Sequence, residues 1–282
     1  MARHLKLVAG LALTVAASAS QVHAAEDATG PSFGFEYIGE VFANVDGGLS
    51  TGSVYAGLAQ LLADYHGSEW TSHADIYAPH GGDLSENRVG DFSVLSNIVA
   101  VHQVRLHEAW VQRALGHASF RVGIIAADSE FWGSDGANVF ISSVFGAPSV
   151  VSGNLPTPAI FPQGVLGARV AFDDGRDGTW RLAILDGDAG DLASDNRHGL
   201  DVSLGQGALL VGEYEHAVAP ESGGKNHIRI GAFYHMADFA TRDGGGAHGD
   251  LGFVAVLDHA VDERVTLFAR AGVAQDGRNT VP

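Results

Sequence analysis

Phe33-Gly34-Phe35-Glu36-Tyr37-Ile38-Gly39-Glu40-Val41-Phe42-Ala43-Asn44-Val45 alternates with a period of two. Phe33, Phe35, Tyr37, Gly39, Val41, Ala43 and Val45 fall on one side, apolar or small, with Glu36, Glu40 and Asn44 among the residues between them. Successive side chains of a strand point to opposite faces. A strand of about ten residues with one face fit for lipid and the other carrying carboxylates is the unit of a transmembrane β-barrel with a wet interior. A soluble sandwich buries that apolar face instead, so the rest of the chain has to decide.

Residues 1–25 have the form of an export signal. Arg3 and Lys6 form a charged start, Leu7 to Ala17 an apolar core, and Val22-His23-Ala24 a cleavage site. The apolar run is too short to span a bilayer, and no later segment reaches about 18 uninterrupted apolar residues. If the chain enters a membrane, it does so as strands. Residues 26–282 are expected to form one barrel domain. No cysteine is present, which excludes disulfides and thiolate metal sites. Losing Arg3 and Lys6 takes the net charge from −17 to −19, which argues against nucleic acid as a partner.

Alternating segments recur, with about twelve expected strands at 33–46, 52–65, 69–79, 101–114, 117–126, 163–173, 179–187, 198–205, 207–217, 226–238, 249–259 and 262–274. Asp46-Gly47-Gly48, Asp173-Asp174-Gly175, Asp186-Gly187-Asp188, Ser222-Gly223-Gly224 and Asp243-Gly244-Gly245-Gly246 supply turn chemistry. The result is a β meander. Glu36, Glu40 and Glu108 fall on the inner face of early strands, and Arg169, Arg229 and Arg270 on that of later ones. This separation would put a transverse field across a polar channel.

Between Ala126 and Gln163 the alternation stops. A loop this long inside a compact domain is usually functional. It begins Asp128-Ser129-Glu130-Phe131-Trp132-Gly133-Ser134-Asp135 and carries Phe140-Ile141-Ser142-Ser143-Val144-Phe145-Gly146 in its middle. Folded into a barrel, it would place carboxylates and an indole at a constriction.

Tyr37-Ile38-Gly39-Glu40, Val89-Gly90-Asp91, Ser96-Asn97-Ile98, Arg105-Leu106-His107-Glu108-Ala109-Trp110, Ala126-Ala127-Asp128-Ser129-Glu130-Phe131, Phe140 to Gly146 and Asn154-Leu155-Pro156 resemble, in order and spacing over roughly residues 33–278, the carbohydrate-selective porins of Gram-negative outer membranes (OprB type). The resemblance implies a barrel of about sixteen strands with an inward-folded loop, and passive diffusion of glucose and similar sugars across the outer membrane. It departs from the family in three places. Gly136 stands where an aromatic is expected, His259 where Gln is expected, and the ending Asp276 to Pro282 lacks a terminal aromatic strand. A fragment of a longer product is the expectation here, with a closed twelve-stranded barrel as the alternative.

A sugar entering a narrow pore needs replacement hydrogen bonds and a flat apolar surface for its C–H face. Glu108, Trp110 and Gln112 share one face of their strand and are expected to line the neck, with Asp128 and Glu130. Trp132 either stacks on sugar or packs the loop against the wall. Arg105 lies on the opposite parity and reaches the lumen only through a bulge or a strand end. The histidines show no metal-ligand spacing, and no nucleophile, phosphate loop or cofactor motif is present. The expected function is an outer-membrane channel without catalysis, cofactor or metal, its partners being sugars in transit and lipid. Porins as a class allow a homotrimer, of which the sequence carries no sign. The alternatives are a secreted or periplasmic all-β carbohydrate-binding protein and, with Asp128 and Glu130 as its acid pair, a sugar-cleaving enzyme.

Overall fold

The computed structural model describes residues 10–14, 29–91, 93–192, 196–203, 205, 207–218, 226–241, 243–262 and 264–275. The Ser222-Gly223-Gly224 turn, the ending Asp276 to Pro282 and most of the leader lie outside them. The fold is all-β, a single antiparallel meander in which every strand pairs with its sequence neighbours. The strands are β1 (Gly10–Thr14), β2 (Gly30–Asn44), β3 (Gly52–His66), β4 (Trp70–Gly81), β5 (Arg105–Leu115), β6 (Ala118–Ile125), β7 (Val165–Asp173), β8 (Gly178–Asp186), β9 (Ala208–Val218), β10 (Asn226–Ala240), β11 (Gly246–Ala260) and β12 (Thr266–Ala274).

Two differences from the expected strands stand out, and the first has a local cause. No strand forms over the described residues of 198–205. Gly199 takes a left-handed φ of 70°, Leu106 N–H donates to His198 O and Asp201 N–H to Asn196 Oδ1, so these backbone groups bond away from a ladder. Moreover, β8 pairs directly with β9, which leaves no place between them. Conversely, Gly10–Thr14, inside the stretch read as a leader, lies antiparallel on the edge of β2.

Outside the start of β5, the period-two reading assigns the faces correctly. Phe33, Phe35, Val41, Tyr55, Tyr65, Leu61, Leu166, Val170, Leu267 and Val273 are all exposed on the outer surface. Trp70 and Trp180, near strand ends, are exposed as well. A soluble monomer does not present so extensive an apolar surface to water. The inner face is where the side chains are covered. There Leu185, Leu209, Val211, Phe233, Val254 and Val256 of β8–β11 form a core with Ile125, Phe131, Trp132, Val151 and Leu155. Part of the interior is therefore dry, packed by the apolar loop residues rather than polar throughout.

Among the described residues no ladder joins β12 to β1 or β2, and the sheet is open. Its interior nevertheless bridges the gap. Ser96 donates to Glu40 of β2 (2.6 Å), its neighbour Asn97 bonds Ile141 O and Phe140 O, and Arg270 of β12 donates to Phe145 O and Gly146 O. In the same place Phe140 stacks on Phe145, and Phe268 packs against both, edge-on to Phe145.

Candidate functional site

The wall carboxylates on the inner face accept backbone and hydroxyl protons of the inserted segment. Glu108 Oε1 accepts from Ala126 N (2.8 Å) and Ser129 Oγ (3.0 Å). Glu213 Oε2 accepts from Trp132 N (2.7 Å), which its left-handed φ of 61° points at the wall. Asp258 accepts from Ser134 Oγ (2.7 Å), Asp135 N (3.2 Å) and Gly136 N (2.9 Å). Gly136 is required there, since a Cβ would lie 2.8 Å from Phe268 Cδ1 and 3.0 Å from Asp258 Oδ1. The aromatic expected at this position has no room in this arrangement. His259, the other departure, points to the outer side and bonds Asn226.

Strand register arranges the remaining charges in rungs. Gln112, Arg121 and Arg169 stand opposite one another on β5, β6 and β7. Arg169 grips Glu130 with Nε and Nη2, both at 2.6 Å, and also donates to Gln112 and Ser119. Arg121 reaches Glu130 Oε1 at 2.7 Å and lies over the Trp110 ring, Cζ 3.5 Å from its centroid. A second rung joins Glu215 of β9 to Arg229 of β10 (3.1 Å), with Arg181 of β8 at 2.6 Å and His227 at 2.6 Å. Asp135, well exposed, stands 3.4 Å from His227 Nε2.

The expected site residues thus divide. Glu108, Trp110, Glu130 and Arg169 come together at the start of the loop. Glu40 and Arg270 sit apart, each holding an inserted segment to one side of the sheet. Arg229 belongs to the second rung. Trp132 is only 2% exposed, wedged against Phe131 and Phe233, and holds the loop rather than facing a passage. Gly231 leaves the space for its indole, with Nε1 3.3 Å from where a Cβ would stand. Asp128 accepts from Phe161 N (3.0 Å), and burial pushes its carboxyl up.

Arg105 does face inward, because β4 and β5 slip by one residue between Asp75 and Ile76. Glu108 then pairs with Asp75, Leu106 with exposed Ile76, and Arg105 with Tyr77. Its side chain is 1% exposed. The expected separation of sign across the channel does not hold. Glu213 and Glu215 on β9 and Asp258 on β11 alternate with the arginines of β8, β10 and β12, because a guanidinium withdrawn from water needs a partner charge. Arg121, Arg181, Glu213, Glu215 and Asp258 were not singled out in the sequence. Alternation marks Glu213 and Glu215 as inward, but only register shows which arginine each meets.

A family model described as carbohydrate-selective porin, OprB family, matches residues 62–282. The fold is similar to the high-pH structure of Pseudomonas putida OprB, with a TM-score of 0.78 and 18% identity over 89% of this chain and 68% of that one. No curated protein gives a significant match.

Proposed function

Because the chain belongs to the carbohydrate-selective porin family, OprB type, we propose that it is a passive outer-membrane channel for small neutral sugars. The observation that carries the sugar reading is the Trp110–Arg121–Glu130–Arg169–Gln112 group. It sets an aromatic ring beside hydrogen-bonding groups in which two guanidinium groups share one carboxylate and one amide. Their donor and acceptor atoms, set beside the ring, suit the hydroxyls and the C–H face of a sugar. Asp135, Arg181 and Arg229 extend the same chemistry along the loop. The outward band of Phe, Leu, Val and Tyr supports placement in lipid, and residues 1–25 would serve as the leader that delivers it. On the carboxylate pair suggested for catalysis, both oxygens of Glu130 are held by guanidinium groups.

Reconstitution into planar bilayers tests this reading. Discrete conductance steps that glucose or a short maltooligosaccharide reduces in a saturable way are expected. A folded protein that conducts without any sugar effect would remove the carbohydrate part of the proposal. Absence of conductance would remove the channel.

A further inference from the structure

We propose that His73, Asp75 and Glu108 form a divalent-metal site on the inner wall, suited to a transition-metal ion such as Zn2+ and tied to the root of the constriction loop. His73 and Asp75 alternate onto the inner face of β4, and Glu108 stands opposite Asp75 on β5. One donor atom of each lies within 4.8 Å of the others. His73 Nε2 and Asp75 Oδ2 are 3.6 Å apart, too far for a hydrogen bond. Donors held at about 2.0–2.2 Å from a tetrahedral zinc ion stand about 3.3–3.6 Å apart, the span His73 and Asp75 already have, and the third donor needs only a small shift to join them.

Two observations beyond the cluster point the same way. Asp64 of β3, directly opposite His73, holds Nδ1 at 2.7 Å. A carboxylate on the far nitrogen fixes the tautomer and turns Nε2 toward a metal, as in carboxylate–histidine–zinc sites. Further, Asp75 and Glu108 are 5% and 6% exposed, and Glu108 Oε2 accepts no hydrogen bond among the described residues. With Asp64 they set three carboxylates around one imidazole, while Arg121 nearby is engaged by Glu130, Gln112 and Trp110. A divalent cation would bring positive charge to this group. The ligands come from two strands, so no short sequence motif announces them.

Since Glu108 Oε1 anchors Ala126 and Ser129, an ion bound by the same carboxylate stiffens the loop root. Metal binding and sugar passage are separate properties and can fail separately. Titration of the full-length protein in detergent with ZnCl2, and with CoCl2 followed by visible absorption, tests the site. Saturable binding of one ion per chain is expected, with a tetrahedral or five-coordinate cobalt spectrum. His73→Gln and Asp75→Asn should each abolish it, and Asp64→Asn should weaken it by about 10–100-fold. Sugar-dependent conductance of His73→Gln in metal-free buffer should match the parent. No saturable binding, or binding unchanged in both His73→Gln and Asp75→Asn, overturns the proposal. In the first case His73 merely balances Asp64 and Asp75 as an imidazolium, and in the second the metal sits on other histidines.

Discussion

Arg169 and Glu130 meet edge to edge, Nε to Oε2 and Nη2 to Oε1, both at 2.6 Å, so a wall strand and the inserted loop share one bidentate ion pair. Arg121 joins the same carboxylate at 2.7 Å. Removing Glu130 leaves two guanidinium groups on the wall with no carboxylate, and breaking a buried pair in this way costs about 3–5 kcal/mol. Glu130→Gln should loosen the loop and shift ion selectivity toward anions. Reversal potentials in a salt gradient measure the shift, and an unchanged potential would mean that these charges do not face the ion path.

Asp258 holds the next stretch of the loop through Ser134, Asp135 and Gly136. Hydrogen bonds to a charged group contribute about 1.5–3 kcal/mol each, less than additively. Asp258→Ala is therefore expected to release this stretch while the barrel strands persist. Faster proteolytic cleavage near residues 137–146 and noisier, larger single-channel currents are the expected signs. Cleavage at the parent rate would show that the Arg270 contacts suffice.

The two indoles should separate by phenotype. Trp132 is buried in the loop–wall core, and truncating such a residue costs about 3–5 kcal/mol, so Trp132→Ala should lower thermal stability markedly. Trp110 is partly buried beneath Arg121, a contact worth about 0.5–2 kcal/mol. Trp110→Ala should cost less stability and weaken sugar block of the current. Equal thermal losses with sugar block intact would contradict this division.

Acid should tighten the root of the loop. Burial raises the Asp128 carboxyl above its ordinary pKa, outweighing the Phe161 N–H that favours its charged form. The docked loop therefore binds the proton more tightly than an undocked one. Docking is strongest below the ordinary aspartate pKa and weakens as pH rises through the raised value. Amide exchange at residues 127–131, corrected for its intrinsic pH dependence, should show more protection at about pH 4 than at pH 7. Asp128→Asn should flatten that dependence, and a slope retained in the variant would assign it to another group.

Gly136 leaves almost no tolerance. Alanine would place its Cβ against Phe268 and Asp258, an overpacking that costs about 1–3 kcal/mol. Gly136→Ala should lower the melting temperature and raise cleavage of the loop. A variant as stable as the parent would show that Phe268 yields.

The period of two by itself determined the faces. Phe33, Phe35 and Val41 on one side and Glu36 and Glu40 on the other needed no partner strand to be told apart, because successive side chains of any strand diverge. The inserted loop was legible for the same reason, as the place where alternation fails. Strand 198–205 was misread because Leu200 and Val202 alternate while Gly199 and Asn196 bond the backbone elsewhere. What only the tertiary structure decided is which charges meet. Arg105 turns inward through a one-residue slip opposite Asp75, Arg169 finds Glu130, and Asp258 finds Gly136 more than a hundred residues away. Register and loop path set these contacts, and both depend on energies summed over many strands that no local pattern contains.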